Sequence, residues 1–190
     1  MQELREYCEL AEVGEIARRY FAMNAFDGVL TIIGVLMGNY MAQVRRPAIV
    51  ISTGLSTCVA MGVSGLWGAY LTESAERKRG LDELQAHVLT DLSQTKIGRA
   101  SRTAVVIVAL VDGLAPFISA LVILVPFFFV AFLADIAFCY YLSLGMALVA
   151  LFGLGAFLGK VSRGNMGVFG LKMVTAGIVS MLLSYLLKRV

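Results

Sequence analysis

Five stretches of the chain are almost purely apolar, and each is long enough to cross a bilayer as a helix. They cover about residues 21–42, 48–72, 103–133, 136–159 and 166–187. The third exceeds the roughly 20 residues that one span needs and contains Pro116 and Pro126, so we expect it to be tilted or kinked. The pattern predicts an all-α polytopic membrane protein with five transmembrane helices plus short cytosolic amphipathic helices.

Composition supports this class. Hydrophobic residues make up 59% of the 190 residues and charged residues only 15%. A soluble domain of this size cannot bury so much apolar surface, whereas a bilayer accommodates it. Residues 1–20 are charged and lack an apolar core, so we expect no cleavable signal peptide. Cys8, Cys58 and Cys139 form no metal-type pair and are interpreted as small apolar fillers.

Charged residues divide the chain into four parts. We expect a cytosolic N-terminal helix at 1–20, transmembrane helices 1 and 2 at 21–72, a cytosolic acidic helical loop at 73–102, and transmembrane helices 3 to 5 at 103–190. With a cytosolic N-terminus, 11 Lys and Arg lie on the cytosolic side, in the N-terminal segment (3), the loop between spans 2 and 3 (6) and the loop between spans 4 and 5 (2), against 4 outside. The loop between spans 3 and 4 has none. The positive-inside rule therefore predicts a cytosolic N-terminus and an outside C-terminus. The net charge of +3 follows from this bias and indicates no nucleic-acid partner.

Both cytosolic parts carry acids at helical spacing. In the N-terminal segment glutamates recur at every third position: Glu3, Glu6, Glu9, Glu12 and Glu15. Glu73 and Glu76 form another pair where span 2 ends, and Glu83, His87 and Asp91 follow at intervals of four. This spacing predicts an amphipathic loop helix with three candidate ligands on one side. Carboxylates and imidazole suit Fe²⁺ or Mn²⁺. The alternative for both groups is a solvated helix face with intrahelical ion pairs.

Two aspartates, Asp27 and Asp112, lie within otherwise apolar spans. Each follows the last basic residue of the predicted cytosolic side by a few helical turns, so both acids enter from the same face at similar depth. An ionised Asp is costly there unless it faces protein, water or a cation, and desolvation favours its protonated form. Exchange of a proton for a cation uses this chemistry. The alternative is an acid at the headgroup edge or a helix cap. Asn24 and Met37 are candidate neighbouring ligands, and a thioether favours softer metals than Ca²⁺ or Mg²⁺.

The sequences around the two acids resemble each other. Residues 26–31 read FDGVLT and residues 111–116 read VDGLAP. We interpret this match as a weak parallel internal repeat, in which spans 1 and 2 are echoed by spans 3 and 4. Two GxxxG spacings predict close helix packing, one of them as a helix–helix or dimer contact on span 1: Gly34 with Gly38, and Gly155 with Gly159.

Span 1 and the exit of span 2 resemble the vacuolar iron transporter family. The resemblance rests on Arg18-Arg19 followed by NAFDGVLT at 24–31, and on GAYLTESAER at 68–77. It implies a homodimeric exporter of cytosolic Fe²⁺ or Mn²⁺ in exchange for H⁺, without a permanently bound cofactor. By this likeness Asp27 binds the ion, Met37 is a thioether neighbour, and the glutamate-rich cytosolic helices collect the metal. Gly65 and Ala69 stand where the family has methionine and glutamate ligands, so the chain resembles a divergent prokaryotic or archaeal-type member, in the cell membrane.

These residues suggest three functions from different classes. A proton-coupled divalent transition-metal transporter accounts for the most observations. A non-transporting metal-binding membrane scaffold or sensor would bind metal without moving it. An intramembrane aspartyl protease needs two acids that share a proton, but the Gly-x-Gly-Asp and Pro-Ala-Leu motifs of that family are missing. We therefore expect that the protein is not an enzyme.

Overall fold

The computed structural model describes residues 13–133 and 135–187, which form helices and contain no strand. The predicted all-α class is confirmed, and five of the helices are long and apolar enough to span a membrane. The protein is therefore an integral membrane protein. In chain order the helices are α1 (Val13–Met41), α2 (Pro47–Val88), α3 (Lys96–Phe128), the single turn α4 (Val130–Leu133), α5 (Ile136–Val161) and α6 (Met166–Leu187).

The segment predicted as a cytosolic loop with its own helix is organised differently. Span 2 continues without a break into the charged region, so that α2 is one helix of 42 residues ending at Val88. Residues 73–88 are rich in Glu, Ala, Arg, Lys and Leu, which favour helix. Ion pairs at i, i+4 join Arg77 to Glu73 and Arg79 to Glu83 along this stretch. The helix ends where Leu89 adopts a left-handed backbone, with φ 52°. Only a short turn precedes α3.

At the start of the chain, the expected helix running into span 1 is present from residue 13 onward. The predictions for Glu3, Glu6, Glu9 and Glu12 lie outside the described residues. Near the middle of the chain, α3 contains both Pro116 and Pro126 and ends just after the second.

The chain forms two compact units. The first contains residues up to Asn24 and Gly62–Ala115, and the second contains Ala25–Met61 and residues from Pro116 onward. The second unit holds an apolar core that includes Ile33, Leu36 and Phe127. Met37 is part of this core, which favours packing over the predicted role as a thioether ligand. Cys58 and Cys139 are buried and free, as expected of small fillers.

The GxxxG spacing at Gly155 and Gly159 is confirmed as a close helix contact within the second unit. A Cβ atom on Gly155 would lie 2.6 Å from the Cα of Gly170, and one on Gly159 would lie 2.7 Å from the Cα of Met166. Both obstacles are backbone atoms, so α5 and α6 pack at this distance only because these positions lack side chains.

Gly155→Val is expected to lower the stability of the second unit by about 2–3 kcal/mol, because the added side chain must push α6 away. Gly153→Val is the matched control, since a Cβ there meets nothing within 4 Å. Thermal unfolding of both variants in detergent tests this. Equal melting temperatures for the two variants would show that the close contact between α5 and α6 does not matter for stability.

Candidate cation site

Asp112 is buried in α3 of the first unit, with only 8% of its surface exposed. Glycines bring α2 and α3 together around it. A Cβ on Gly113 would lie 2.7 Å from the carbonyl oxygen of Gly62, and one on Gly65 would lie 2.9 Å from the carbonyl oxygen of Asp112. The same Cβ on Gly65 would lie 3.2 Å from Asp112 Oδ2, so the carboxylate lies beside the backbone of α2.

The amide of Asn24 covers the Asp112 carboxylate. Its Nδ2 group donates one hydrogen bond to Asp112 Oδ1 and another, of 2.9 Å, to the carbonyl oxygen of Tyr20. With both amide hydrogens used, the Asn24 side chain still has an oxygen that accepts no hydrogen bond from a described residue. The structure thus pairs Asn24, predicted as a neighbour of Asp27, with Asp112. The partners are 88 positions apart in the sequence, which explains why spacing could not predict this contact.

A proline leaves a further oxygen without its helical hydrogen bond. Pro116 follows Asp112 by four residues and carries no N–H, so the Asp112 carbonyl lacks the hydrogen bond that a regular helix would give it. Carboxylate, amide and carbonyl oxygens thus cluster around Asp112. Such oxygens are ligands for hard and intermediate divalent cations.

Polar side chains continue from this site toward the charged end of α2. The hydroxyl of Tyr20 donates to Glu73 Oε1 at 3.2 Å, and Arg77 Nε lies 3.1 Å from Glu73 Oε2. The side chains of Arg77 and Glu73 are only 16% and 14% exposed. Sequence reasoning missed Tyr20 and Arg77, because their contacts depend on which helix faces pack together.

A cavity of about 570 Å³ adjoins this polar chain in the first unit. The predicted metal residues Glu73 and Glu76 both line it, together with Arg77 and an apolar wall. The wall is formed by Ile16, Leu81, Leu84, Ile97 and Ala100. Glu15 is not among the lining residues. It is exposed and lies 3.9 Å from Arg18, an intrahelical pair that agrees with the solvated-face alternative.

The hypothesis that Glu83, His87 and Asp91 share one side of a loop helix is wrong. The helix ends at Val88, so Asp91 lies beyond it and accepts hydrogen bonds from Gln85 and Ser93. Glu83 pairs with Arg79 at 2.9 Å, and His87 Nδ1 donates to the Glu83 carbonyl. Across residues 13–133 and 135–187, no three His, Cys, Asp or Glu side chains are grouped to hold a metal ion.

Asp27 lies in the second unit and is exposed. The following glycine has the opposite environment: a Cβ on Gly28 would lie 2.6 Å from the Cα and carbonyl oxygen of Pro116. Within this Asp-Gly pair, Gly28 therefore lies in a helix contact, whereas the Asp27 side chain lies on the exposed surface of the protein. Gly34 and Gly38 continue the outer face of α1, and a Cβ on either meets nothing within 4 Å.

Comparisons with other proteins identify a relative but no function. No protein-family model matches the chain, and no solved structure matches it. The chain is 29% identical over 179 residues to an uncharacterized protein of Methanocaldococcus jannaschii. The aligned region covers 93% of this chain and 91% of that protein.

Proposed function

We propose that this protein carries a divalent transition metal, Fe²⁺ or Mn²⁺, out of the cytosol in exchange for protons. The observation that supports this most is the burial of Asp112 in an apolar span, with the amide of Asn24 on its carboxylate. Intramembrane acids of this kind are costly and mark ion or proton pathways.

The surroundings of Asp112 favour the exchange of a proton for a metal ion on its carboxyl group. It forms no ion pair with any Lys or Arg of the described residues. A buried carboxylate without a cationic partner is neutralised by a proton, or else by a bound cation. Binding of a metal ion by Asp112 and the nearby oxygens would therefore release H⁺. The reverse step, protonation, would release the metal.

The route from the cytosol would begin in the cavity lined by Glu73 and Glu76. Glu73 would receive the cation there, with Arg77 compensating its charge while the cavity is empty. Tyr20 links Glu73 to Asn24, because its hydroxyl donates to Glu73 and its backbone carbonyl accepts from the Asn24 amide. The cation would then pass to Asp112, where carboxylate and amide oxygens replace part of its hydration shell.

A homodimer would account for the outer face of α1. A charged Asp27 facing lipid would be costly, whereas the same acid facing a second copy or trapped water would not. Gly34 and Gly38 leave that face open for close approach of another helix. In this arrangement Asp27 lines the path between two copies of span 1, as the family resemblance implies. The distribution of Lys and Arg favours a cytosolic N-terminus and an outside C-terminus in the cell membrane.

Transport can be measured with the purified protein in liposomes loaded with a metal-quenched dye. We expect Fe²⁺ and Mn²⁺ to enter faster than into protein-free liposomes, with a further increase when a pH gradient drives H⁺ the other way. Ca²⁺ serves as the control ion. If neither Fe²⁺ nor Mn²⁺ moves, with or without the gradient, the proposal is wrong. Metal binding without flux would instead support the scaffold or sensor hypothesis.

A further inference from the structure

A second cavity, of about 520 Å³, lies between α2 and α3 in the first unit. The two helices are joined by a short turn, so their residues line the cavity in opposite order. Tyr70 of α2 and Val105 and Val106 of α3 form one end. All three lie within the apolar stretches of the sequence, so this end is at the level of the membrane.

The middle of the cavity is basic. Lys78 and Arg102 line it, together with the hydroxyl groups of Ser74 and Ser101. Lys78 and Arg102 are exposed and pair with no acid among the described residues. Arg77 also lines the cavity, but Glu73 already compensates its charge. Two cations without an acidic partner among the described residues, with hydroxyl donors in the same cavity, are a typical setting for a phosphate group.

The outer end of the cavity is acidic. Asp82 and Asp91 line it, and Asp82 lies about 6 Å beyond Lys78 along α2 at 1.5 Å per residue. Hydrogen bonds from Ser93 hold the pKa of the Asp91 carboxyl below its usual value, so this acid remains ionised. The order from the membrane outward is therefore apolar, positive and negative.

We infer that this cavity binds a membrane phospholipid with an amine headgroup, of the phosphatidylethanolamine type. The acyl chains of the lipid would contact Tyr70 and Val105, and its phosphate group would lie between Lys78 and Arg102. The ammonium group would donate hydrogen bonds to Asp82 and Asp91. An anionic headgroup such as phosphatidylglycerol offers the outer acids no positive charge, and the quaternary amine of phosphatidylcholine has no N–H to donate. Basic pockets between transmembrane helices bind the phosphate-bearing headgroups of lipids.

Native mass spectrometry of the full chain, titrated in detergent with lipids of identical acyl chains, tests the inference without requiring transport. We expect phosphatidylethanolamine to bind about fivefold more tightly than phosphatidylglycerol or phosphatidylcholine. Free phosphoethanolamine, which lacks the chains, should not compete at comparable concentration. Equal affinity for the three lipids overturns the inference, and competition by phosphoethanolamine would assign the cavity to a soluble phosphate ester.

Substitutions distinguish the role of the basic middle of the cavity from that of its acidic outer end. Asp82→Asn should abolish the preference for phosphatidylethanolamine over phosphatidylglycerol. Arg102→Gln should instead lower the affinity for both lipids about fivefold. Arg79→Gln and Glu83→Gln are matched controls on the same helix, because neither residue lines the cavity. A preference that survives Asp82→Asn, or affinities unchanged by Arg102→Gln, would contradict the assignment.

Discussion

Replacing Asp112 by Asn will reduce metal flux by at least about 100-fold while leaving the protein folded. Even groups that only orient a metal ligand affect metal binding 10–100-fold, so loss of the carboxylate itself should cost no less. Asn has nearly the same shape and can still contact the Asn24 amide. It cannot ionise, so it can neither neutralise a cation nor exchange it for a proton.

The measurement is the liposome flux assay with equal amounts of reconstituted protein. Asp135→Asn is the control, because Asp135 caps the N-terminus of α5 by accepting a 3.0 Å hydrogen bond from the Ala137 N–H. Asn serves as well as Asp at such a cap, so this variant should transport normally. Asp112→Asn protein that transports at the wild-type rate would exclude Asp112 from the pathway.

Asp27→Asn should also reduce flux severely, by about 10-fold or more, if the acid lines the path between two copies of span 1. Asp27 is exposed in the single chain, so its replacement should leave the fold of the second unit unchanged. Thr31→Val is the control: it lies one turn further along the same helix and removes a polar group that carries no charge.

Crosslinking of single-cysteine variants at Met23, which is exposed one turn before Asp27 on α1, would report the dimer in parallel. We expect crosslinked dimers in both wild-type and Asp27→Asn backgrounds, with flux lost only in the latter. Full flux in Asp27→Asn would assign transport to Asp112 alone and leave Asp27 without a role in the mechanism.

The helices that span the membrane could be predicted from the sequence because apolar runs of this length have few other solutions. The end of α2 was not predictable in the same way. Residues 73–88 and 89–92 continue one apolar period, yet the helix stops at Val88 with a left-handed Leu89 and without a Gly or Pro at that point. The hypothesis that Glu83, His87 and Asp91 share one helix face was wrong for this reason.

The candidate cation site could be predicted only in part. The presence of Asp112 in an apolar span marked it as a candidate functional acid, and hydropathy alone was sufficient for that. Its partners could not be inferred, because Asn24 reaches it from another helix and spacing within one helix carries no information about such contacts. Met37 shows the converse: its position near Asp27 in sequence suggested a ligand, but its side chain belongs to the apolar core.

The GxxxG spacings in the sequence do not by themselves show which glycines lie in a helix contact. The sequence contains two GxxxG spacings with the same pattern. Gly155 is pressed against the backbone of α6, while Gly34 faces open space. The same motif therefore marks an internal contact in one case and an uncovered face in the other. Only the packing of the helices distinguishes them.

The central claim, that Asp112 binds the transported cation, is tested most directly by a structure of the protein determined with bound Mn²⁺. Anomalous scattering would locate the ion independently of the protein density. We predict a peak in direct contact with the Asp112 carboxylate and within reach of the Asn24 side-chain oxygen, and no such peak in Asp112→Asn. Mn²⁺ bound to transport-competent protein only at exposed acids, with none beside Asp112, would contradict the account.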